Sequence, residues 1–83
     1  MSADVPRLRW RARRGMRELD TVLQSFVENV VASLSPAELA RFEQILDLPD
    51  PDLFAYLTGR SAPPDPDIAR LIERIRASHR PAT

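Results

Sequence analysis

The chain has 83 residues, 43% of them hydrophobic, and its twelve basic and twelve acidic side chains cancel to a net charge of zero. A chain of this size makes one domain that buries only a little over ~60% of its unfolded surface, so its core is thin and a separate catalytic unit has no room. With no cysteine, disulfides, zinc thiolate sites and thiol catalysis are excluded, and no run approaches the ~18 apolar residues of a membrane span.

In chain order, Val5 to Arg14 predicts a short helix with Leu8 and Ala12 turned inward, interrupted at Gly15. Met16, Leu19, Leu23, Phe26, Val27, Val30, Val31 and Leu34 then recur at steps of three and four, which predicts an amphipathic helix over 16–33. Its second half is rich in Val, a mediocre helix former, so packing must hold it. Ser35-Pro36-Ala37-Glu38 combines an N-cap Ser, Pro at N1 and Glu at N3, a capping box that opens a helix over 36–47. Asp50-Pro51-Asp52 opens another over 51–58, with Asp50 as the cap, Asp52 favourable to the helix dipole and Gly59 at the C′ position. Pro63-Pro64 forms a rigid link, and Asp65-Pro66-Asp67 repeats the start signal for a helix over 66–78. The three caps fall 15 residues apart, but the apolar patterns between them differ, so no true repeat is inferred.

No segment alternates with period two, so no strand is predicted. Phe42, Ile45 and Leu46 would pack with Leu53, Phe54, Leu57, Ile68, Leu71, Ile72 and Ile75 against the long helix. The expected fold is all-α, a small compact five-helix bundle in which short loops make sequential neighbours antiparallel. The domain spans 1–83, with an ordered core of about 6–78 and a frayed tail over 79–83.

The zero net charge hides a segregation. Residues 1–20 hold six arginines against three acids, residues 21–67 two arginines against eight acids, and residues 68–83 four arginines against one acid. Such a pattern either orients an encounter with a partner or lets both ends neutralise an acidic middle. Every basic residue is Arg and none is Lys, which reflects codon usage or a need for forked contacts to carboxylates and phosphates.

Enzymatic chemistry finds little support. His79, the single histidine, sits near the C-terminus among Ser78, Arg80 and Pro81. No Ser or Thr has a plausible base beside it. The pairs Asp50/Asp52 and Asp65/Asp67 are read as caps, and a glycosidase-type acid pair would need a cleft this chain is too short to build. Arg7, Arg9, Arg11, Arg13 and Arg14 with Trp10 form a basic, aromatic-interleaved stripe of the kind that binds nucleic acid. However, Glu18 and Asp20 follow at once, the sequence pI is near 6.6 and no helix-turn-helix is evident. The arginines share no single helical face, which also argues against a membrane-surface helix.

What stands out is Arg13-Arg14-Gly15-Met16-Arg17-Glu18-Leu19-Asp20, a glycine between a doubled arginine and two carboxylates. Arg and Trp dominate interface hot spots, and a glycine admits close approach of a partner's backbone or cofactor. In the alternative, Gly15 merely breaks one helix from the next while Glu18 supports the new N-terminus. A general protein-interaction or nucleic-acid-binding adaptor built on this Arg-rich surface remains the competing class of function.

The segment Arg9-Trp10-Arg11-Ala12-Arg13-Arg14-Gly15-Met16-Arg17-Glu18-Leu19-Asp20 resembles the opening of the FAD assembly factor family, the SdhE-type or succinate dehydrogenase assembly factor 2 family. Asp50-Pro51-Asp52-Leu53-Phe54-Ala55-Tyr56-Leu57 resembles its second recurrent stretch, and the likeness runs from about Arg7 to Ile75. The resemblance implies a five-helix protein that binds the flavoprotein subunit of succinate dehydrogenase, and often of fumarate reductase, and promotes covalent attachment of FAD to a histidine of that subunit. The chain itself would not be an enzyme. By motif match Arg14, Gly15 and Glu18 form the functional corner, with Trp10, Arg13, Met16, Arg17 and Asp20 as flanking contact surface. No tight FAD site is expected, because no Gly-rich phosphate loop on a strand–helix turn exists; the FAD is held by the partner. The expectation is a monomer or weak dimer that neither binds nucleic acid nor inserts in a membrane. The N-terminus reads as mature sequence, pointing to a bacterial cytoplasm rather than a mitochondrial matrix.

Overall fold

A computed structural model describes residues 5–79. They form five α-helices: α1 over Val5–Arg11, α2 over Arg17–Asn29, α3 over Pro36–Leu46, α4 over Asp50–Leu57 and α5 over Pro66–His79. No strand occurs among the described residues, and the all-α bundle is as the apolar spacing predicts. The tail beyond His79, expected to fray, lies outside the described residues.

The long helix is shorter than its apolar pattern. Regular α structure stops at Asn29, and a 3-10 turn follows over Val31–Ser33. The run Asn29-Val30-Val31 is poor in helix propensity, and Val30 leaves the helical region at φ −124°. Ser33 N–H and Oγ–H both donate to the Val30 carbonyl, at 2.9 and 2.7 Å, which tightens the chain into the shorter turn. Val31 nevertheless stays buried, so the apolar period continues where the α geometry does not.

The start of α3 is the expected capping box: Ser35 Oγ accepts from Glu38 N–H at 3.1 Å, and Glu38 Oε1 accepts from Ser35 N–H at 2.9 Å. Asp65 opens α5 by accepting from Asp67 N–H at 2.8 Å. The start of α4 corrects the expectation. Its N-cap is Pro49, Asp50 is already helical, and no side chain caps the end. Asp50 is drawn instead toward Arg14. The end of α4 is a Schellman motif: Arg60 N–H donates to Ala55 O at 2.9 Å and Gly59 N–H to Tyr56 O at 3.2 Å. Gly59 takes the φ of +79° this closure needs.

Packing follows chain order only in part. Helix α5 lies against α2, α3 and α4, and α1 lies against α2. The last helix is thus the hub, since it carries Ile68, Leu71, Ile72 and Ile75 into the core. Phe26 of α2 and Phe42 of α3 meet at its centre with ring centroids 5.2 Å apart and planes tilted by 44°, an arrangement favourable to aromatic pairs. Leu8 and Ala12, both fully buried, are the pins that hold the N-terminal segment on this core.

The corner between α1 and α2

After α1 the chain turns sharply to begin α2. Ala12 N–H still donates to Leu8 O at 2.9 Å and Arg13 N–H to Trp10 O at 3.2 Å, so the last turn of α1 unwinds gradually. Gly15 then adopts φ +82°, a conformation that costs an L-residue about 1–2 kcal/mol. Met16 is the extended N-cap of α2 and offers no side-chain cap. Asp20 closes the corner from within: its Oδ1 accepts from Arg14 N–H at 2.6 Å, while its own N–H donates to Met16 O at 2.8 Å.

The arginines divide into two sets. Arg7 donates to Glu43 of α3 at 2.9 Å, Arg11 pairs with Glu43 at 3.4 Å and with Asp47, and Arg9 pairs with Glu28 of α2. The hydrogen bond and charge of Glu28 hold the Arg9 guanidinium above its ordinary value. Arg14 reaches across to the α3–α4 junction, where Nη2 donates to the carbonyls of Leu46 and Leu48 and Nε lies 3.4 Å from Asp50 Oδ1. Its side chain is only 17% exposed. Four of the six N-terminal arginines are thus turned onto the acidic middle of the chain, the neutralising alternative for the charge segregation.

Arg13, Arg17 and Glu18 are the remainder. All three are exposed, and none has an ion pair or hydrogen-bonded side-chain partner among the described residues. They stand around Gly15, where an added Cβ would meet no atom within 4 Å. Trp10, on the outer side of α1, is 72% exposed. Met16 is half-buried and packs on the core.

Of the residues singled out in the sequence, the structure leaves Arg13, Gly15, Arg17 and Glu18 exposed at the turn between α1 and α2, and Trp10 exposed on α1. It places the side chains of Arg14 and Asp20 inside that corner as its fastenings. Sequence reading missed Asp50 and the carbonyls of Leu46 and Leu48. A carboxylate before a proline reads as a cap, and no spacing signal marks a backbone acceptor more than thirty residues away.

The corner has no nucleophile beside a base. Among the described residues no group of three or more His, Cys, Asp or Glu could hold a metal ion, and no helix is long and apolar enough to cross a membrane. An open groove of about 510 Å³ lies between α3 and α5, lined by Ala37, Leu71 and five charged residues, and includes no residue of the corner. What the corner offers is two unpaired guanidiniums, one unpaired carboxylate, an exposed indole and a stretch of bare backbone.

Comparison with known proteins finds relatives over most of the chain. The model of a family described as flavinator of succinate dehydrogenase matches residues 6–79. The FAD assembly factor SdhE of Shewanella oneidensis is 41% identical over 78 residues, 94% of this chain and 95% of that protein. Its counterpart in Methylococcus capsulatus is 45% identical over 71 residues, 86% of each chain, and that of Haemophilus ducreyi is 43% identical over 72 residues, 87% of this chain and 88% of that one. The chain belongs to this family of FAD assembly factors.

Proposed function

We propose that the chain docks through the α1–α2 corner on the flavoprotein subunit of succinate dehydrogenase, and on the related subunit of fumarate reductase, and promotes covalent attachment of FAD to a histidine of that subunit. The observation that carries this reading is the pattern of charge. The fold consumes four N-terminal arginines internally and leaves Arg13, Arg17 and Glu18 unpaired among the described residues, around one positive-φ glycine.

The attachment needs the flavin ring held against the histidine while charge develops on the ring. An assembly factor contributes by binding one domain arrangement of the flavoprotein more tightly than the others, which shifts the population toward it. Arg13, Arg17 and Glu18 would meet charges that this arrangement leaves exposed, and Trp10 would cover apolar surface next to them. Gly15 lets the corner approach without an intervening side chain. Catalysis is then by positioning, and the chemistry belongs to the flavin. The chain holds no FAD of its own tightly and acts on FAD already held by its partner.

The test is co-expression with a succinate dehydrogenase flavoprotein subunit, reading flavin fluorescence that survives denaturation of that subunit. The wild-type chain should raise it, and Gly15→Arg should abolish it while keeping the helical circular dichroism spectrum. Equal fluorescence with and without the wild-type chain would remove the reading.

A further inference from the structure

Asp50 lies outside the corner, in the first turn of α4, and does not cap that helix. Its carboxylate is 3.4 Å from Arg14 Nε, and that Nε is buried without a hydrogen-bond partner. The contact is therefore one of charge rather than a hydrogen bond. Nη2 of the same guanidinium donates to the carbonyls of Leu46 and Leu48, at the end of α3 and in the linker to α4. Main chain and side chain of Arg14 are thus fastened to different elements. The N–H is bonded to Asp20 of α2, and the guanidinium to the α3–α4 junction.

We infer that Asp50 is a positioning residue for the docking corner: it holds the part-buried Arg14 guanidinium against the α3–α4 junction, and through Arg14 fixes the orientation of Gly15 and its neighbours. Two carbonyls satisfy Nη2 but supply no net charge, and a cation drawn largely out of solvent, with its Nε buried, loses by lacking a counter-charge. With Asp50 neutral, the guanidinium gains by turning toward solvent, and the movement passes to Gly15, the next residue, whose positive φ is set by the corner's fastenings. This role goes beyond helix support. A carboxylate that only favoured the dipole of α4 would be interchangeable with Asp52, which stands two residues later in the same first turn and is exposed.

The inference rests on the docking reading above, and the experiment separates the two. Asp50→Asn and Asp52→Asn are compared in the full chain by amide NMR spectra and by affinity for the flavoprotein subunit, with Arg14→Met as a second background. Asp50→Asn should shift the amides of Gly15, Met16 and Arg17 and weaken binding by about tenfold, a common size for coupling between separate sites. Asp52→Asn should leave the corner amides in place and affinity within about twofold. In the Arg14→Met background, Asp50→Asn should add nothing, and Asp50→Glu should restore the wild-type corner. Corner amides that respond equally to Asp50→Asn and Asp52→Asn, or that respond as much without Arg14 as with it, overturn the assignment. Corner amides that move while neither Asp50→Asn nor Glu18→Ala changes affinity overturn the docking reading instead.

Discussion

Gly15 offers the sharpest test because two physical reasons for a glycine make opposite demands there. One is backbone conformation. At φ +82° an L-residue costs about 1–2 kcal/mol, and the stiffer unfolded chain returns about 0.4–1 kcal/mol of that. Since an added Cβ meets nothing within 4 Å, no steric penalty is added inside the chain. Gly15→Ala should therefore destabilise by about 1 kcal/mol, lowering Tm by roughly 4–8 °C in a domain of this size. Asn tolerates the left-handed region, so Gly15→Asn should cost less than Gly15→Ala. The other reason is close approach by a partner, which any side chain obstructs and which stability does not report. Thermal unfolding of the free chain and covalent flavin on a co-expressed flavoprotein subunit separate the two. If approach matters, Gly15→Asn loses flavinylation while staying closer to wild type in Tm. Wild-type flavinylation with Gly15→Asn, together with a loss in Gly15→Ala that tracks its Tm, would show that only the backbone was being served and would refute the close-approach argument.

Glu18→Ala removes an exposed carboxylate with no partner among the described residues, so stability should change by no more than about 0.5 kcal/mol while flavinylation falls; a drop mainly in Tm would return Glu18 to helix support. Trp10 is the single tryptophan, so biosynthetic 5-fluorotryptophan gives one fluorine signal, which should shift and broaden when the flavoprotein subunit is added and stay unchanged if α1 faces away from it. Ser35 N–H, and then Arg74, hold the Glu38 carboxyl below its ordinary value of 4.5. Its stabilising contribution is therefore complete above that value and is lost as pH falls through the lowered one, so Glu38→Gln should lower Tm at pH 7 and converge with wild type in strong acid. A constant Tm difference across that range would show that the cap does not titrate as described.

Local signals were legible in the sequence and long-range ones were not. Ser35, Glu38, Asp65 and Gly59 act through bonds to residues within a few positions, and their roles were written in the spacing. Asp50 carries the same local signature as Asp65, yet Pro49 takes the N-cap and Asp50 faces Arg14. Nothing local distinguishes the two, because the deciding partner is 36 residues away. The early stop of α2 was half legible: the Val-rich run was recognised as weak, but the exact place of failure depends on the Val30 carbonyl accepting twice from Ser33. The corner was visible as an unusual cluster of charge, but which charges face outward depends on the tertiary pairing of the others.

That pairing accounts for the arginines themselves. Helix α1 is seven residues long, too short to hold itself in water, and it places little more than Leu8 in the core. Arg7, Arg9 and Arg11 reach from it to α2, α3 and the residue just after α3, where single exposed pairs contribute only about 0.2–1 kcal/mol each. Their value lies in direction, since forked guanidiniums bridging different elements fix how a weakly buried helix lies on the bundle. Arg14 does the same for the corner, from a more buried position. A stripe whose composition is like that of a nucleic-acid surface, a reading the adjacent acids argue against, is in three dimensions largely the fastening of α1. The charges left over, Arg13, Arg17 and Glu18, are those the fold gives no use, and the tightly held backbone between them presents all three in a fixed arrangement. Such preorganisation is what lets a small set of unpaired charges favour one arrangement of a partner over another.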